Sequence, residues 1–239
     1  MSDQNKEFLT PISHNTLQEQ VYLRIRRGLV DGEFTPGQTL TIRGLASQLG
    51  TSVMPVREAL QKLVVERVLD LLPTRSTRVP LLSANVFSEI CEVRILLEGH
   101  AAALASEKAT PSDMRAMEDA FNAFEDSSVG DDYSLIQQRN RAFHFSIYQA
   151  AHQVTLMELI EPLWVRCGPC TLTFFQSLGS TLVKRGASGR HRDALDAIRT
   201  HHPADARAAI VDDIVATRDR YRAHNPTTNE IKSKTGVAD

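Results

Sequence analysis

Between Leu40 and Leu60 the chain reads LTIRGLASQLGTSVMPVREAL, and no other stretch restricts its fold as tightly. Apolar Ile42, Leu45, Ala46 and Leu49 recur at helical spacing, and Gly50 follows the last of them, where a left-handed cap is needed. Ser52 can cap a second helix whose first turn holds Pro55, a position where a missing N–H costs little. Val56, Ala59, Leu60 and Leu63 form the buried stripe of that helix. Arg57 leaves the stripe near the N-terminus, the end that enters a major groove. Two short helices joined by a tight turn are the shape of a helix-turn-helix DNA reader, although an ordinary helical hairpin shares the spacing.

The flanking segments extend this unit. From His14 to Val30 the residues Leu17, Val21, Ile25 and Leu29 repeat every four, which predicts an amphipathic helix behind the reader. Pro36-Gly37 is a turn signal. The run LDLLPTRSTRVPLL contains two short β-prone stretches around Pro73–Thr77, a small hairpin wing with Arg75 and Arg78 near its tip. Pro80 ends the unit, so residues 14–80 read as a winged helix-turn-helix, preceded by 1–13 without helical or strand period. Everything beyond is helical in period. One helix covers Ala84–Ala105, and Thr110-Pro-Ser-Asp113 opens the next with a cap, a proline and a carboxylate on the helix dipole. Further helices are expected at 111–126, 133–151, 154–176, 188–200 and 204–223, followed by a polar, disordered tail over 224–239. The fold expected is therefore mainly α: an N-terminal winged helix-turn-helix with a small β-hairpin wing, then an antiparallel helical bundle over 84–223.

Charge is consistent with one end meeting nucleic acid. Residues 1–80 hold 10 Lys/Arg against 8 Asp/Glu, while 81–239 hold 17 against 21. No apolar run approaches membrane-spanning length and the N-terminus lacks a basic-then-apolar signal pattern, so the location expected is cytoplasmic, with no membrane partner.

Several side chains could carry chemistry. Asn140 and His144 lie four apart on one predicted helix and so share a face, a spacing at which two residues can share a metal. His191 opens a later helix, and Asp213 faces inward from the last one beside Ile210 and Ile214. Arg94 and Glu98 can form an i,i+4 surface pair. Cys167-Gly-Pro-Cys170 has the string of a thiol redox centre, but that chemistry needs a strand before the first cysteine, and LMELIEPLWVR before it is helical. Proline inside a bundle helix with two small core thiols is the other reading.

The residues Arg43, Leu45, Ala46, Leu49, Gly50 and Met54-Pro-Val-Arg-Glu-Ala-Leu60, with Pro36–Leu40 before them, resemble the winged helix-turn-helix of the GntR family of bacterial transcription regulators. The match spans Leu17 to Pro80. The helical part resembles the FCD effector domain of the FadR branch, through Glu92-Val-Arg94-Ile-Leu-Leu-Glu98, Asn140-Arg-Ala-Phe-His144 and His191-Arg-Asp-Ala-Leu-Asp-Ala-Ile198. The resemblance implies a homodimer on double-stranded operator DNA, touched by Arg43, Ser52 and Arg57, with Arg75 and Arg78 in the wing. Relatives often carry another arginine where this chain has Val53, and a glycine in the wing tip where it has Thr74 and Ser76.

In many such domains an acidic residue and three histidines bind a divalent metal. Carried over by position, His144 and His191 fit, Asn140 stands where the acid is commonest, and Asp213 stands where the last histidine is commonest. The implied set, Asn140, His144, His191 and Asp213, suits Zn²⁺, Ni²⁺ or Mn²⁺. A small carboxylate-bearing effector would complete the coordination, with Arg94 nominated to hold it. The enzymatic alternatives are a metal-dependent hydrolase, for which no base beside a bound water is evident, and a thiol redox protein.

Overall fold

A computed structural model describes residues 17–73, 76–127, 133–178 and 180–225. The expectations for residues 1–13, for Arg75 and for the tail beyond Asn225 lie outside the described residues. Helix α1 (Leu17–Val30) buries Val21, Ile25 and Leu29. Helix α2 (Ile42–Gln48) starts at Thr41, whose hydroxyl accepts the Gly44 N–H. It ends in a Schellman turn. Thr51 N–H donates to Ala46 O at 3.0 Å and Gly50 N–H to Ser47 O at 3.3 Å, with Gly50 at φ +62°. A side chain is strained at that φ, which is why glycine stands there.

Helix α3 (Val53–Val65) follows directly and packs Val56, Ala59, Leu60 and Leu63 into a core shared with α1. Ser52 occupies the N-cap position, but its hydroxyl makes no capping bond, contrary to the sequence expectation. A serine cap bonds the second or third amide of the helix, and the third residue here is Pro55, which has no N–H to give.

The wing is a three-stranded sheet instead of a lone hairpin. β1 (Thr39–Leu40), β2 (Asp70–Leu71) and β3 (Thr77–Arg78) lie in the order β1-β3-β2, all antiparallel. Leu40 pairs with Thr77 and Leu71 pairs with the same residue from the other side. Two residues are too few for a period of two to show in sequence, so β1 left no signal there.

The remaining described helices are α4 (Ala84–Lys108), α5 (Pro111–Glu125), α6 (Tyr133–Ala150), α7 (Val154–Leu178), α8 (Ser180–Arg199) and α9 (Pro203–His224). Thr110 and Asp113 form the complete capping box of α5, with Pro111 at its first position. α4 runs along α9, α8 along α9, and α5 along α6, around a core that includes Phe87, Phe143, Ile147, Ile198 and Ile210. α8 begins well before residue 188, so His191 sits in mid-helix instead of opening one. Gly186 and Gly189 weaken the helical signal of that segment, and packing against α9 overrides it. His224 closes α9 and is not part of the tail.

Candidate functional site

Three of the four residues implied as metal ligands meet in the middle of the bundle. His144 on α6, His191 on α8 and Asp213 on α9 are all buried, and one ligating atom of each lies within 4.8 Å of the others. His144 Nε2 is 3.2 Å from His191 Nε2 and 3.3 Å from Asp213 Oδ2, and His191 Nε2 is 4.0 Å from that same oxygen. Asn140 stands one turn before His144, half-buried, and lines the same narrow cavity with Arg94, Gln137, Trp164 and Thr217, a space of about 30 Å³. Burial alone would raise Asp213, yet hydrogen bonding to His144 and the charges of its neighbours, Arg190 included, hold its carboxyl well below the usual range. Burial pushes His191 down to about 3 despite Asp213, so this ring is neutral. Phe143 and Phe124 hold it at centroid distances of 4.5 and 4.7 Å.

A second layer, absent from the sequence reading, fixes His144. Glu98 is fully buried and accepts from Arg94 Nε at 2.6 Å, Arg94 Nη2 at 3.1 Å, Trp164 Nε1 at 3.0 Å and Tyr148 Oη at 2.5 Å. Burial and then the Glu98 charge push the Tyr148 phenol well above its ordinary value, so it keeps its proton and donates it in a hydrogen bond to Glu98. The Tyr148 oxygen, 3.0 Å from His144 Nδ1, therefore accepts from that nitrogen. His144 carries a hydrogen on Nδ1, and its Nε2 faces His191 and Asp213. Tyr148 lies four residues after His144, a spacing that could have flagged it. Nothing in the sequence pairs Trp164 with Glu98.

The donor set fits a cation. Nε2 of His144, Nε2 of His191 and Oδ2 of Asp213 converge in a buried space, an arrangement that suits a proton or a metal ion between them. An ion with bonds of about 2.1 Å sets neighbouring ligand atoms roughly 3.0–3.4 Å apart, from octahedral to tetrahedral geometry. Two of the three separations are already of that size. Arg190 Nε bonds the other carboxylate oxygen at 3.0 Å and orients it. The Arg94–Glu98 pair is i,i+4 but buried, not on the surface, and Glu98 occupies one edge of the guanidinium fork.

Cys167 and Cys170 lie inside α7, which follows α6 with no strand between them, and both are free and buried. Burial pushes Cys167 up to about 12, Cys91 to about 11, and raises Cys170 as well. Burial thus disfavours all three thiolates, which argues against thiol redox chemistry near neutrality. Native protein at pH 8 is expected to react with a chromogenic disulfide on the order of 100-fold more slowly than the denatured chain. Equal rates would restore the redox reading.

On the reader, Arg43 at the start of α2 and Arg57 in α3 are exposed, as are Ser52, Val53 and Met54 at the N-terminus of α3. Arg78 is held by Asp70 at 3.3 Å, an ion pair open to solvent on both sides.

A winged helix-turn-helix joined to an all-helical domain defines a class of protein, the DNA-binding transcription regulators. Residues 17–79 match the bacterial regulatory proteins of the gntR family, and residues 89–216 match the FCD domain. The chain belongs to the GntR family and carries an FCD domain. It is 32% identical over 180 residues to the HTH-type transcriptional regulator McbR of Escherichia coli K12, covering 75% of this chain and 81% of that protein. A probable D-xylose utilization operon transcriptional repressor of Paenarthrobacter nicotinovorans is 26% identical over 205 residues, covering 86% and 88%. The solved structure of E. coli McbR/YncC superposes with a TM-score of 0.81 at 29% identity, over 88% of this chain and 99% of that one. These relatives are regulators and not enzymes, and no helix among the described residues is long and apolar enough to cross a membrane.

Proposed function

We propose that this regulator is a cytoplasmic homodimer whose affinity for operator DNA is set by a small carboxylate-bearing ligand at a divalent metal in the FCD domain. The DNA-binding unit is residues 14–80 and the effector unit residues 84–223. Convergence of His144 Nε2, His191 Nε2 and Asp213 Oδ2 on one point, with a hydrogen held on His144 Nδ1 from behind by Tyr148 and Glu98, carries the reading. His144, His191 and Asp213 would hold the ion, Zn²⁺, Ni²⁺ or Mn²⁺, with Asn140 as an oxygen donor beside them. The ion would supply a concentrated positive charge for an anionic ligand, to which Arg94 on the same cavity wall adds.

On the DNA side, Arg43 and Arg57 reach base edges or phosphate. Ser52, freed from capping, gives a hydroxyl, and Arg78 with Arg75 serves the wing. Val53 and Met54, 40% and 52% exposed, suit contact with a thymine methyl group in place of an arginine. Dimerisation has support in α4, where Val93 and Leu96 stand 44% and 63% exposed three residues apart. A reader of this size buries too little surface to be specific alone, so two heads on a palindrome are expected.

Elemental analysis of protein purified without added metal or chelator tests the centre. One divalent ion per chain is expected in the wild type and none in His191→Ala. A wild type without metal, or a variant with full occupancy, overturns the site.

A further inference from the structure

Helix α1 of the DNA-binding unit lies against α7 of the bundle, and a glycine lets the two backbones touch. A Cβ on Gly168 would stand 2.8 Å from Leu29 O and 2.9 Å from Val30 Cα. Buried Gln137 of α6 clasps this contact, donating from Nε2 to Val30 O at 2.5 Å and to Gly168 O at 3.2 Å. Beside it a cleft of about 510 Å³ opens between the three helices. Leu23, Arg26 and Arg27 line it from α1, Arg141 and Phe145 from α6, and Glu161 from α7. Spacings of three and four put each helix's contributions on one face. The cleft shares no lining residue with the metal cavity.

Three guanidiniums meet two carboxylates here. Arg26 Nη1 bonds Glu161 at 2.9 Å, Arg141 Nη2 bonds Asp31 at 2.9 Å, and Arg27 Nε reaches the other Asp31 oxygen at 3.4 Å. Asp31 is buried and does not line the cleft, so the lining carries three positive charges against the one of Glu161. The Nε atoms of Arg26 and Arg141 are buried without a hydrogen-bond partner among the described residues. Each of these two forks gives one Nη to its acid, which leaves the other Nη for a further acceptor. Packing and the acid already hold both forks, so little ordering remains to be done when an anion binds. The rest of the lining is apolar. Leu23 is 43% exposed, and the Arg141 guanidinium stands 5.8 Å from the centroid of the half-buried Phe145 ring.

We infer that this cleft binds a small phosphate monoester with an apolar or aromatic body. A carboxylate has two oxygens in one plane, enough for one fork. A phosphate has three strong acceptor oxygens in a tetrahedron, enough to face Arg26 and Arg27 on one helix and Arg141 on another. Its charge, about −1.5 to −2 near neutral pH, matches the excess of the lining, and its body covers Leu23 and Phe145. The ligand bridges the DNA-binding unit and the bundle, and the site does not depend on the metal centre.

Calorimetric titration of the full-length chain with phenyl phosphate, inorganic phosphate and benzoate tests the inference. Wild type is expected to bind phenyl phosphate about tenfold or more tightly than either of the others. Arg27→Glu reverses a charge on a side chain that is 71% exposed, so the fold is kept. It should weaken phenyl phosphate about tenfold or more. Leu23→Ser, also at an exposed position, should weaken phenyl phosphate about threefold or more and leave inorganic phosphate unchanged. Treatment with a chelator should alter none of these affinities. Benzoate binding as tightly as phenyl phosphate overturns the phosphate assignment, and inorganic phosphate doing so overturns the apolar half. Unchanged phenyl phosphate affinity in either variant places the ligand elsewhere, and loss on chelation places it at the metal. Each of these results overturns the inference, as does a wild type that binds none of the three.

Discussion

Glu98→Ala is expected to destabilise the chain by about 3–5 kcal/mol, because it leaves the Arg94 guanidinium charged and unpaired in a dry interior. Arg94 is 6% exposed and stacks over Trp164 at 4.4 Å, so water cannot reach in to replace the lost carboxylate without opening the core. The same substitution strips the acceptors from Tyr148 and Trp164. Tyr148 is then free to turn its proton toward His144, which reverses the direction of that hydrogen bond and releases the His144 tautomer. Metal affinity should therefore fall by about 10- to 100-fold, the usual effect of losing a partner behind a ligating histidine. Denaturant unfolding checks the first effect and metal titration the second. A double variant, Arg94→Met with Glu98→Leu, separates them. Filling the space with apolar side chains removes both buried charges, so stability should recover while metal affinity stays low. If affinity recovers too, Glu98 acts on the site only through general stability.

The reader was legible in the sequence because its signals are local. Gly50 at positive φ, Pro55 in the first turn of α3 and the apolar stripe each declare themselves within a few residues, and the structure differs there only in the unused hydroxyl of Ser52. The metal candidates were legible through resemblance, since His144, His191 and Asp213 are distant in sequence and no spacing links them. What stayed hidden is what only packing can join. Glu98 meets Trp164 and Tyr148 across three helices, and Gln137 meets the carbonyl of Val30 from over a hundred positions away. The cysteine pair misled for the opposite reason. A short string looked chemical, while the helix around it buries both thiols and uses the glycine between them. The start of α8 was missed because its glycines lower the helical signal and its packing on α9 is a tertiary fact.

Arg57→Ala is expected to weaken operator binding by about 1–3 kcal/mol, a loss of roughly 5- to 150-fold. Arg57 is exposed in α3 while its neighbours Val56, Ala59 and Leu60 are buried, so its side chain has no part in the core and its removal should leave folding intact. The DNA for this measurement is the sequence that wild type selects from a random library. Two contact types give different results on it. A residue reading a base edge loses discrimination at one position in each half-site, and its variant binds several selected sequences equally well. A residue touching phosphate weakens all sequences together and lowers the salt dependence by about one counterion. Arg57, on the helix that enters the groove, should behave in the first way. Arg78 should behave in the second and with a smaller effect, because it must first give up Asp70, and that exposed pair is worth at most about 1 kcal/mol. If Arg57→Ala binds the selected sequence like wild type, α3 does not enter the groove by this face. The exposed N-terminal end at Ser52, Val53 and Met54 would then carry the recognition alone.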